Sequence, residues 1–324
     1  MSVVVLTAGC AQKEDGLVVY SARNEPLIRP LFDRYTAETG VEITYVTDSA
    51  ESLMQRLAAE DKNTPADVLL TVDAGNLWFA ASNNLLATIE SDVLEANIPA
   101  HLKDPDNRWF GMSVRARSIV YNLNAVDPAE LVDYAGLGDE KWRGRLCLRT
   151  SKKVYNQSLV AMLIAQYGEP ATEAIVSAWV DNLATDVFAN DTLVLRAIAA
   201  GQCDVGIVNS YYLGRLLKKE PDTPLKLFWP AAGTGGVHVN VSGAAVTRHA
   251  KHKQQAVKFL EWLSSGTAQE MFAGSNLEFP AHPGIAADPL VASWGQFSPS
   301  ELNLAQAGEL QADAVRLMDR AGYH

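Results

Sequence analysis

Two adjacent phenols, Tyr211 and Tyr212, follow the apolar run Val205-Gly206-Ile207-Val208, which reads as a short buried strand. The repeat Leu213, Leu216, Leu217 then opens a helix. In open α/β sheets ligands gather just beyond the carboxyl ends of strands, which is where this pair would stand. A phenol with its ordinary pKa of about 10 is a poor ligand, but beside a strong Lewis acid it loses its proton and becomes a hard anionic oxygen. Ferric iron is the cation that phenolate suits best. The competing reading is an aromatic pair packed at a domain edge.

Composition narrows the setting. With 324 residues, 48% of them hydrophobic, the chain can bury a large core and divides most simply into two domains. A net charge of −11 argues against nucleic acid as a partner. No apolar run approaches the roughly 20 residues of a membrane-spanning helix. The short apolar start, Met1 to Leu6, is followed by Thr7-Ala8-Gly9-Cys10 and a polar tether. This resembles the end of a lipoprotein signal, so residues 1–16 read as a truncated leader and Cys10 as a lipid attachment point. Cys147 and Cys203 lie in expected strands of the same half and would form a disulfide in an oxidising compartment. Neither shows the close Cys/His spacing of a metal site.

The elements that must position the tyrosines follow from periodicity. Leu17–Tyr20, Val41–Val46 and Ala66–Thr71 read as strands, with helices from Pro26 and over Ser52 to Glu60 between them. This βαβαβ start requires a parallel sheet covered by helices. Ser113 to Asn122 is long for a strand and reads as a crossing into a second domain, with His238 to Val246 as the return. Helices are expected from Ser158 to Tyr167, Ala171 to Leu183, Asn190 to Ala200, Lys253 to Ser264 and Leu302 to Ala321. The reading is thus an α/β chain of two lobes, hinged by two crossing strands, with its ligand in the cleft between them. One lobe takes residues 17–114 and 240–288, the other 115–239 and 289–324.

Several stretches carry a family resemblance: Val19-Tyr20-Ser21-Ala22-Arg23, Thr64-Pro65-Ala66-Asp67-Val68, Arg115-Ala116-Arg117, Tyr155-Asn156-Gln157-Ser158-Leu159 and Asn209-Ser210-Tyr211-Tyr212. The chain resembles the periplasmic ferric-ion-binding proteins of bacterial iron ABC importers, in the type II periplasmic binding protein group. The resemblance implies a non-catalytic receptor that binds Fe3+ as cargo and hands it to a membrane permease, as a monomer in the periplasm. It also implies Tyr155, Tyr211 and Tyr212 as the metal ligands. Relatives with a histidine in the first loop differ from this chain, which has Asn24-Glu25 there. A glutamate used by some relatives after the third strand is likewise missing, with Val72 and Asp73 in its place.

Something else must then complete the coordination sphere. Three phenolates neutralise a ferric ion, and an added carbonate would leave the site negative unless cations offset it. Arg23 and Arg115 suit a planar oxyanion through their forked donors, and Arg117 shares the strand face of Arg115 as a third anion-binding candidate. The resemblance supports a carbonate-type anion beside Arg23. Glu25 is the alternative ligand, and Asp73 reads as a turn or cap residue before a ligand. The second function class is a receptor of the same fold for an oxyanion or small organic solute, with the arginines as clamp. No nucleophilic triad, metalloprotease helix or paired-carboxylate site supports an enzyme.

Overall fold

The structure, a computed structural model, describes residues 16–324; nearly all of the expected leader, including Cys10, lies outside the described residues. The chain opens with β1 (Leu17–Ser21), α1 (Glu25–Thr39), β2 (Ile43–Thr47), α2 (Ala50–Glu60) and β3 (Val68–Val72). These three strands are parallel, with β1 in the middle, as the βαβαβ pattern requires. Helix α1 takes Pro26 in its first turn and stops at Gly40, whose φ of 76° suits a residue without a Cβ. Next come α3 (Ala74–Ser82), α4 (Asp92–Asn97) and the long strand β4 (Phe110–Asn122).

The second half holds β5 (Leu146–Cys147), α5 (Val154–Tyr167), α6 (Glu169–Asp181), α7 (Asp191–Ala199), β6 (Val205–Asn209), α8 (Ser210–Lys219) and β7 (Leu225–Phe228). The chain returns on β8 (His238–Val246) and adds α9 (Lys253–Leu263), α10 (Gly266–Asn276) and β9 (Phe279–Pro280) to the first half. It closes with α11 (Pro289–Ala292), α12 (Leu304–Glu309) and α13 (Gln311–Arg320). The single C-terminal helix expected from Leu302 to Ala321 is therefore two, broken at Leu310.

One mixed sheet of nine strands runs through both halves in the order β2-β1-β3-β8-β4-β6-β5, with β7 and β9 also on β4. Strands β4 and β8 are antiparallel partners from Phe110 to Arg117. Beyond Arg117, β4 pairs with β6 and β7 instead. In the other direction β8 pairs with β3 back to Val68. These are the two crossing strands expected from sequence, and every residue in them is buried.

Each half has its own core. Ile28, Leu31, Phe32, Phe259 and Phe272 pack on one face of the first-half strands. Trp142, Leu159, Leu163 and Trp179 fill the second half. Helix α12 packs on both α3 and α5, so the last stretch of chain touches both halves. Cys147 and Cys203 are joined in a disulfide with Cα atoms 5.9 Å apart, tying β5 to the turn before β6.

Candidate metal centre

Tyr211 and Tyr212 stand just beyond the carboxyl end of β6, already in the first turn of α8, which begins at Ser210 and not at Leu213. The apolar repeat from Leu213 continues a buried face that Ser210 and Tyr211 have already begun. Tyr155 likewise lies in the first turn of α5, which begins at Val154, four residues before the expected start. First turns carry free backbone N–H groups and the positive end of the helix dipole, a setting that favours anionic oxygen. The Tyr211 and Tyr212 rings lie 4.4 Å apart at 31°.

The phenols share one electrostatic environment. Burial pushes Tyr211 well above its ordinary pKa; the nearby Tyr155 raises it further, Arg115 opposes the shift, and Tyr212 adds to it. Without a cation to replace its proton, Tyr211 stays a neutral phenol. Positive groups nonetheless surround the rings. Arg115 lies 5.8 Å and Arg215 4.9 Å from the Tyr211 ring. Arg149 lies 5.4 Å and Lys153 5.7 Å from that of Tyr155. Among the described residues, no group of three His, Cys, Asp or Glu side chains could hold a metal ion. The three tyrosines are the candidate donors of this region, since hard anionic oxygens fit a trivalent cation.

Arg23 and Arg115 are brought together as expected, but around a carboxylate from the chain itself. Glu278, 2% exposed, accepts from Arg23 Nη1 at 3.2 Å and Nη2 at 3.1 Å, and from Arg115 Nε at 3.2 Å. Ser113 also donates to Glu278, while Ser242 accepts from both arginines. Burial alone would raise the Glu278 carboxyl, yet Arg23 and Arg115 bring it down to about 2. One of the two arginine charges is therefore cancelled inside the protein. Glu278 escapes sequence reasoning because its only signal is an acid set within the apolar run Leu277-Glu278-Phe279-Pro280-Ala281.

The remaining candidates are placed as follows. Asp73 caps α3, accepting from Gly75 N–H at 2.9 Å, and it also takes the Asn240 amide at 2.8 Å. Asn24 is exposed at the start of α1, and Glu25 is exposed with its carboxylate held by Tyr45 Oη at 2.8 Å. Arg117 is 2% exposed and paired with Asp191 at 3.0 Å. His238 is buried; burial pulls its pKa down to about 3, Arg117 acting the same way, so it is neutral.

Residues 30–299 match the family model of bacterial extracellular solute-binding proteins. The chain is 41% identical over 313 residues to iron uptake protein A2 of Synechocystis, covering 94% of this chain and 89% of that one. It is 38% identical over 335 residues to iron uptake protein A1 of the same organism, covering 98% and 93%. Among solved structures, a Trichodesmium protein (IdiA, FutA) in complex with iron and citrate superposes with a TM-score of 0.91 at 39% identity. That match covers 95% of this chain and 100% of the other.

Proposed function

We propose, because the chain belongs to the bacterial extracellular solute-binding protein family, that it is the substrate-binding component of a ferric-iron ABC importer. The observation that carries this reading is the convergence of Tyr155, Tyr211 and Tyr212 among cationic side chains where carboxylate and histidine clusters are absent among the described residues. The role is non-catalytic. Fe3+ is cargo, captured in the periplasm between lobes 17–114 plus 240–288 and 115–239 plus 289–324, then delivered by a monomer to a membrane permease. Cys10 would serve as the lipid anchor.

The phenolates neutralise the ferric ion, and a carbonate-type oxyanion on the Arg115 side completes its sphere. The positive charge left by Glu278 favours that anion only weakly, so bicarbonate and a small carboxylate compete for the same place. The citrate of the Trichodesmium relative is consistent with such an opening.

Addition of ferric nitrilotriacetate to apo-protein should produce a red-orange phenolate-to-iron charge-transfer band. A receptor for an oxyanion alone would stay colourless. Omitting bicarbonate should weaken iron binding in the wild type and leave Arg115→Ala unaffected. Equal affinity with and without bicarbonate would transfer the open positions to water or citrate.

A further inference from the structure

Tyr155 and Tyr211 arrive at the site on separate helices, α5 and α8, and a metal can bind both only if those helices keep a fixed spacing. One buried side chain bonds to Asn156 within α5 and to Asn209, the residue that immediately precedes α8. Arg117 stands on β4 opposite Asn209 of β6, at the point where β4 leaves β8. Its Nε and Nη2 donate to Asn156 Oδ1 at 3.1 and 2.6 Å. Its Nη1 donates to Asn209 Oδ1 at 3.3 Å and to Asp191 Oδ2 at 3.0 Å. Asn156 follows Tyr155 directly, and Asn209 offers its amide to Tyr211 Oη at 3.4 Å. Among the described residues no other side chain bonds both asparagines.

The supporting contacts are as specific. Asp191 accepts the Asn209 backbone N–H at 3.0 Å and lies 3.5 Å from Arg149 Nη1. Asn156 spends its own amide on the carbonyls of Arg149 and Thr150, at 2.9 and 3.0 Å, and on Tyr323 Oη at 2.8 Å. Both asparagines and Asp191 are buried, so water offers little substitute for a lost partner. Only the planar fork of an arginine reaches these acceptors at once; a lysine ammonium on a flexible stem cannot.

We infer that Arg117 is the positioning residue that sets the spacing of Tyr155 from Tyr211 and so the number of phenolates that reach the iron. The inference rests on the ferric reading above. It reassigns Arg117 from the anion to the ligand scaffold, since its donors are already committed within the protein.

The test loads wild type, Arg117→Met, Tyr155→Phe and the double variant with ferric nitrilotriacetate and records charge-transfer absorbance per bound iron. Arg117→Met should lose about one third of the intensity, as Tyr155→Phe does, and the double variant should lose no more, because coupled sites are non-additive. Arg117→Lys should fail to restore it. Asn156→Ala cuts the arm to α5 together with the Asn156 bonds to Arg149, Thr150 and Tyr323, leaves the Arg117–Asp191 pair in place, and should reproduce the loss should Arg117→Met not fold. Full wild-type intensity in Arg117→Met or Asn156→Ala, or additive losses, would overturn the inference while leaving the ferric reading intact. A colourless wild type would overturn both.

Discussion

The Ser158 hydroxyl meets the Asp73 carboxylate at 2.8 Å, joining the first half of the molecule to the helix that carries Tyr155. Ser158 lies one helical turn beyond Tyr155 on α5, and Asp73 is the cap of α3. Through Asn240 the same carboxylate is tied to β8, one of the two strands shared by both halves.

Burial raises the Asp73 carboxyl from 3.8 to about 6, against the hydrogen bonds from Ser158, Gly75 and Asn240 that favour its charge. The folded protein therefore holds this proton more tightly than the unfolded chain. The contribution is fully present below 3.8 and is lost as pH rises through about 6. Asp73→Asn should flatten the dependence of melting temperature on pH across that window. Identical slopes in the two proteins would show that Asp73 does not titrate there.

Tyr212→Phe keeps the ring contact with Tyr211 and deletes one phenolate. Its melting temperature should stay near wild type, while iron affinity falls by at least about tenfold, the effect of losing one charged ligand. Competition with a chelator measures this directly. Undiminished affinity would remove Tyr212 from the coordination sphere.

Glu278→Gln leaves Arg23 and Arg115 buried without their shared counter-charge. Loss of one partner from a buried ion pair costs about 3–5 kcal/mol, read here as a lower urea midpoint. A loss under about 1 kcal/mol would mean that water reaches the arginines, as it does for exposed pairs.

Reducing the Cys147–Cys203 bridge frees a loop with a sequence separation of 56. Stability should drop by about 2–4 kcal/mol. Both cysteines share the apolar cluster of Leu213 and Leu216, whose burial keeps α8 seated without the bridge, so absorbance per bound iron at saturation should be unchanged. A lost band would place the disulfide in control of the ligand geometry.

The crossing strands were legible because a long run of strand formers stands out: Ser113 to Asn122 reads as a strand, and β4 extends it back to Phe110. Tyr211 and Tyr212 were legible from chemistry, as adjacent phenols after a short apolar run. The starts of α5 and α8 were not, since Tyr155-Asn156-Gln157 and Ser210-Tyr211-Tyr212 carry no apolar repeat. The partnership of Arg23 and Arg115 was legible, but its purpose was not. Glu278 lies 163 residues from Arg115, and the pairing of β9 with β4, with α10 packed alongside, brings the two together.

Tyr323 holds Asn156 from near the end of the chain, donating its own hydroxyl to the Arg149 carbonyl. A polypeptide made from its N-terminus presents both tyrosine-bearing helices long before it presents this phenol. Asn156, next to Tyr155, thus gains this contact only once a segment 167 positions further along has been made.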